Sequence, residues 1–275
     1  MAKGNLILGT GHGSIGDVTM MRRNGAEVAR VRLRKIKNPK SQGQAEQRMY
    51  MAPILKFYSP LAKVLETSFE GLNRADSYAK FISINSNLAR ANQWAVKKGT
   101  GFVPLPYRVS QGTIESPSLS SGSLVAKGTT VPTKIGELST AIIGQYPTLQ
   151  NGDQLTYIYA DFDATEKKWT PKYGKIILDT TSTETIPTTL AIGSDGTSIT
   201  ISCTNAVGMT VSAQAFIFSR WDGEKWARST SFMWMDSMIL EDYTGSNHLD
   251  AAIASYMKGA GQTPVSDVYL NGSDE

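Results

Sequence analysis

The stretch from Leu155 to Phe232 constrains the fold most. Its runs Leu155–Phe162, Gly174–Leu178, Thr197–Cys203 and Met209–Phe218 are short, rich in β-branched and aromatic residues, and often alternate apolar with polar. Asn151-Gly152, Asp195-Gly196 and Asp222-Gly223 supply turns, the last joining Phe216–Trp221 to Glu224–Phe232 as a two-residue hairpin. Short strands with regular turn signals indicate an antiparallel sandwich or barrel, and we read an immunoglobulin-like or jelly-roll-like sandwich. Trp221 and Trp226 are expected to pack across the hairpin rather than stack on a nucleic-acid base. Phe232-Met-Trp-Met235 reads as a buried strand.

The first hundred residues follow other patterns. Val18–Arg23 and Ala26–Lys35 flank Asn24-Gly25, whose two residues suit the positive φ angles of a type I′ turn. In the second arm Arg30, Arg32 and Arg34 alternate with Val31 and Leu33, so one face is an arginine ladder and the other apolar. Asn38-Pro39 ends the strand, and Ser41 with Gln44 has capping-box spacing, predicting a helix from about Gln42 to Leu65 that Pro53 and Pro60 kink or divide. A second helix is expected from an Asn73 cap to about Val96, with Asp76 in its first turn and Tyr78, Phe81, Ile82, Leu88 and Ala89 as its apolar stripe. The Ser, Gly, Thr and Pro content of 110–136 suggests a linker and a boundary near residue 112. Asn247 can cap a short helix carrying Leu249 and Ile253, which Gly259 stops before an extended tail. The expected class is α+β: a basic glycine-rich loop and hairpin (1–41), a helical region (42–112), a β-sandwich (113–245), and a C-terminal helix and tail (246–275).

Charge divides the chain in the same direction. Residues 1–98 hold 17 Lys and Arg against 6 Asp and Glu, whereas 99–275 hold 11 against 18, within an overall +4. The basic set is Arg22, Arg23, Arg30, Arg32, Arg34, Lys35, Lys37, Lys40 and Arg48, opposed across that span only by Glu27 and Glu46. Such a run suits phosphate-backbone contact, because each neutralised phosphate releases a condensed counterion whatever the base. The competing readings are docking on acidic protein surfaces and a merely solvated face.

Catalytic chemistry finds little material. Two histidines, His12 and His248, and one cysteine, Cys203, speak against a His-rich zinc site, a Ser/His/Asp triad or a disulfide framework, and Cys203 reads as a buried small hydrophobe. Gly11-His-Gly13-Ser-Ile-Gly16 formally matches a dinucleotide fingerprint, but Asn24-Gly25 and a cationic stretch follow where a helix and an acidic residue belong. It reads instead as a flexible glycine loop, with backbone cradling of a nucleic-acid phosphate as the weaker alternative. Asp161 with Asp163, and Glu241 with Asp242, read as solvated carboxylates rather than a metal or acid/base pair. We therefore expect no enzyme, no cofactor and no metal. Met1–Ile7 lacks the apolar core of a secretory signal and no stretch has the length of a membrane span, so the chain reads as soluble.

The opening pattern Gly4-Asn-Leu-Ile-Leu-Gly9, Gly13-Ser-Ile-Gly16-Asp17, Arg22-Arg-Asn-Gly25, Val28-Ala-Arg30, Asn38-Pro-Lys-Ser41, Gln44 and Gln47-Arg48 resembles a group of uncharacterised proteins from Bacteroidetes and their small single-stranded-DNA, microvirus-like phages. The resemblance covers about the first hundred residues, with Tyr269-Leu-Asn-Gly272 a looser match. Ser41 stands where that group commonly has Thr, and Ile15 where it has Lys or Val. What the resemblance implies is a phage or mobile-element setting rather than a reaction. Together these readings predict a structural virion or genome-associated protein, made in the cytoplasm of a bacterial host and then carried in the virion. Its partners would be nucleic acid and other copies of itself or other virion proteins. The alternative is an assembly, decoration or adhesion module.

Overall fold

The structure, a computed structural model, describes residues 3–5, 10–15, 18–23, 26–31, 42–97, 105–163, 168–205, 210–211 and 213–235. The chain is α+β and divides into two units, Met1–Ala45 and Glu46–Glu275.

In the first unit β1 (Lys3–Asn5), β2 (Thr10–Ile15), β3 (Val18–Arg23) and β4 (Ala26–Val31) form an antiparallel sheet in chain order. The β3–β4 ladder runs to Arg23 opposite Ala26, so only Asn24 and Gly25 join the strands, as the hairpin signal predicts. The expected glycine loop is corrected in part. Gly11, His12 and Gly13 lie within β2, where Gly11 is opposite Gly4 and Gly13 opposite Met20. Pairing with strands on both sides outweighs the poor strand propensity of glycine.

In the second unit α1 (Gln42–Leu65) runs unbroken through Pro53 and Pro60. The expected division does not occur: a proline forfeits one backbone bond, while Ile54, Phe57, Leu61, Val64 and Leu65 are all buried in the core. α2 (Arg74–Lys97) starts where Asn73 Oδ1 accepts the Asp76 N–H at 3.0 Å. Its buried stripe is Ser77, Phe81, Asn85 and Leu88, with Tyr78 left exposed.

The segment expected to be a linker carries β5 (Arg108–Ser110), β6 (Leu119–Ser120), β7 (Ser123–Lys127) and the start of α3 (Ile135–Gln145), a helix the sequence reading missed. Glu137 tightens the entry to α3 by accepting the Thr133 N–H at 2.8 Å and the Lys134 N–H at 3.4 Å. Then follow β8 (Gln154–Asp163), β9 (Lys168–Ile177), β10 (Leu190–Ser194), β11 (Ser198–Cys203), β12 (Ala213–Trp221), β13 (Trp226–Arg228), β14 (Ser231–Phe232) and β15 (Trp234–Met235). They make a central sheet ordered β13-β12-β8-β9, with β15 also paired to β12, a second sheet ordered β10-β11-β7-β6, and a small β14-β5 pair. All these pairings are antiparallel.

Strand alternation puts the central sheet between two cores. Leu155, Tyr157, Phe216 and Phe218 pack with Leu124, Ile199, Ile201 and Cys203 of the second sheet and with Leu138 and Ile142 of α3. From the opposite face Ile158, Ala160, Ala213, Ala215 and Ile217 pack with Phe57, Leu61, Phe81 and Leu88 of α1 and α2. The helices, the central sheet and the second sheet are therefore three layers. The expected boundary at residue 112 falls inside this unit, because the helices cover one side of the sheet.

Asn85 ties α2 to β5. Its Nδ2 donates to Phe81 O at 2.9 Å and to Arg108 O at 3.1 Å, while its Oδ1 accepts the Arg108 N–H at 2.9 Å. Asn85→Ala is expected to destabilise the unit by about 2 kcal/mol by orphaning buried backbone groups. A urea midpoint unchanged from that of the parent chain would contradict this.

Candidate nucleic-acid interface

The basic hairpin is laid out by β3 and β4. Register sets Arg30 opposite Thr19, Arg22 opposite Glu27 and Arg23 opposite Ala26. The positions of Arg23 and Arg30 thus fall on one face of the pleat and that of Arg22 on the other. Arg30 is exposed, and no carboxylate among the described residues lies within ion-pair distance of it. Val28, Ala29 and Val31 are exposed too, Val31 at 71%. From Val28 to Val31 both faces of β4 are open, so Val31, on the apolar side of the expected ladder, does not line a core. Arg48 lies on α1. Arg32, Arg34, Lys35, Lys37 and Lys40 lie outside the described residues, as does the expected extension of the strand to Lys35.

Among the described residues of the second unit, Lys172, Arg74 and Arg220 are each paired with a carboxylate. Lys172 Nζ meets Asp161 at 2.7 Å across β8 and β9, which assigns that aspartate to an ion pair. Arg74 meets Glu66 at 2.9 Å. Arg220 donates from Nε and Nη2 to the two oxygens of Asp153, at 2.8 and 2.6 Å, and from Nη2 to Thr148 O. The side chain of Asp163 and all of Glu241, Asp242, His248 and the expected C-terminal helix are outside the described residues.

Trp221 and Trp226 pair across β12 and β13 with centroids 5.2 Å apart, as expected, although Trp221 remains 51% exposed. The connection is a four-residue loop, not the expected two: Asp222 Oδ1 accepts the Glu224 and Lys225 N–H groups at 2.9 and 2.7 Å, and Gly223 takes φ +101°. Those backbone donors hold the Asp222 carboxyl below its ordinary range. Met233 is buried, while Phe232, Trp234 and Met235 are partly so. Cys203 is fully buried, which pushes its thiol pKa well up and leaves it in the protonated form at neutral pH.

Arg228 is a residue that the sequence analysis does not single out. It is 5% exposed, with its guanidinium 4.3 Å from the Trp226 ring centre, and burial lowers its pKa to about 10. Its two-residue offset from Trp226, which places both on one strand face, is the signal that was available. Among the described residues no group of three or more His, Cys, Asp and Glu side chains gathers as metal ligands, and no helix is long and apolar enough to cross a membrane.

No curated protein and no solved structure matches the chain. Residues 10–102, which include β2, β3, β4, α1 and α2, match the model of a family of unknown function, DUF6266.

Proposed function

We propose that the chain is a non-enzymatic structural protein of a phage-type particle, virion-borne or genome-associated. Its basic N-terminal region holds nucleic acid by the phosphate backbone, and its β domain contacts other subunits. The observation that carries this reading is Arg30, exposed on an open strand with no counter-charge among the described residues, in a unit whose 45 residues hold nine Lys and Arg against Asp17 and Glu27 alone. Arg22, Arg23, Arg32, Arg34, Lys35, Lys37 and Lys40 share that unit, and Arg48 follows it. Guanidinium groups on a ribbon neutralise phosphates without reading bases, so binding is salt-sensitive and weakly specific. The phage setting rests on the resemblance of the N-terminal motifs.

Freshly purified protein is expected to carry nucleic acid, seen as excess absorbance in the nucleotide band, and to release it at about 1 M salt. The second reading, docking on acidic protein surfaces, is favoured by Val28 and Val31 lying open beside Arg30. A low nucleotide absorbance that salt leaves unchanged would choose it over the first.

A further inference from the structure

One face of the central sheet holds two cations that meet no counter-charge among the described residues. Across the sheet Arg228 is opposite Ser219, Ser219 opposite Gln154, and Gln154 opposite Ile177, while Lys175 is opposite Thr156 in the adjoining row. Paired strand residues share a face, so all six project to the side that α1 and α2 cover further along. Arg228 gives Nε to Thr67 O and Nη2 to Thr67 Oγ1, both at 2.8 Å. Those bonds use two of the five guanidinium donors. The Ser219 hydroxyl, fully buried between Arg228 and Gln154, has no hydrogen-bond partner among the described residues.

Neither Lys175 nor Arg228 has a carboxylate within ion-pair distance among the described residues. Asp153 is occupied by Arg220, Asp161 by Lys172 and Glu66 by Arg74. Glu70 spends its oxygens on the Thr113 N–H and hydroxyl and on the Arg228 backbone N–H. Partial burial, followed by the Arg228 charge, draws the Lys175 pKa down, so the two cations feel each other. Two like charges held on one partly dry face repel, and an unmet buried hydroxyl adds a further cost; an oxyanion relieves both at once.

We propose that Arg228, Ser219 and Lys175 form a binding site for a phosphate group, with the guanidinium, hydroxyl and ammonium as its donors. The phosphate is either a free anion or part of a nucleic-acid backbone, and the site stands independently of the N-terminal reading. Lys175 is exposed and supplies the entrance, whereas Arg228 forms the floor against Trp226.

The test is titration of the full chain with inorganic phosphate against chloride at matched ionic strength, followed by calorimetry and by melting temperature. Phosphate is expected to bind and to raise the melting temperature where chloride does not. Lys175→Ala, a surface change that leaves the fold intact, should weaken phosphate about tenfold, as loss of one charge-assisted bond does. Lys175→Arg should restore it, and Lys134→Ala, on an exposed residue at the start of α3, should change nothing. Phosphate indistinguishable from chloride, or Lys175→Ala binding like the parent, overturns the proposal. The same titration with a short single-stranded oligonucleotide, in a chain carrying Glu at positions 30, 32 and 34, identifies the source. Residual binding lost with Lys175→Ala assigns the phosphate to nucleic acid, and phosphate binding without oligonucleotide binding assigns it to a free anion.

Discussion

Arg30→Glu, Arg32→Glu and Arg34→Glu together are expected to remove most nucleic-acid affinity while leaving the β domain folded. Each replacement deletes one phosphate contact and adds one repulsion. The slope of log affinity against log salt should fall by about 0.7 per phosphate lost on a single strand and about 0.9 on a duplex, or roughly 2 to 3 in all. At low salt the accompanying loss should exceed about a hundredfold, since each charge-assisted contact contributes on the order of 1.5–3 kcal/mol. Arg30 is exposed on β4 and joins neither core cluster, so circular dichroism and the melting temperature should change little. Equal affinity and an unchanged salt slope would remove the ladder from the interface and favour contacts with acidic protein.

The second large effect is on stability. Arg220→Ala takes the guanidinium from Asp153, whose side chain is only 2% exposed and whose remaining bond within its turn is from the Gln150 N–H at 2.8 Å. Removing one partner of a buried ion pair leaves an uncompensated charge, at a cost of about 3–5 kcal/mol when both partners are dry. Arg220 is 30% exposed, and water reaching the site reduces the expected loss to about 2–4 kcal/mol. For a unit of this size the melting temperature should fall by roughly 5–12 °C. Adding Asp153→Asn should recover part of the loss, because the stranded carboxylate is then neutral. A single mutant within about 0.5 kcal/mol of the parent would mean the pair behaves as a surface salt bridge.

Features set by neighbours in sequence were legible. Asn24-Gly25 and the Asn73 cap depend on a few adjacent residues, and both the β3–β4 pairing and the start of α2 follow from them. The pairing of Trp221 with Trp226 was legible too, but its loop length was not, because Asp222 captures two amides and favours a longer turn. α3 was hidden by Gly136, Ser139, Thr140 and Gly144, poor helix formers that mask the spacing of Ile135, Leu138 and Ile142. The bounds of α1 were legible but its continuity was not, because Pro53 and Pro60 weigh heavily locally, whereas the packing of Phe57 and Leu61 that outweighs them is tertiary. In the candidate interface the charge density was legible, but the openness of β4 on both sides was not. Alternation of Arg30 and Val31 suggests a covered apolar side, and only the finished sheet shows Val31 uncovered.

The burial of β12 on both faces limits where the gene can be cut. A fragment beginning after residue 112 would keep the sandwich but discard α1 and α2, baring Ile158, Ala160, Ala213, Ala215 and Ile217 as one continuous greasy patch. Such a product should precipitate or cling to chaperones during expression, whereas a truncation that starts at Glu46 keeps that patch roofed.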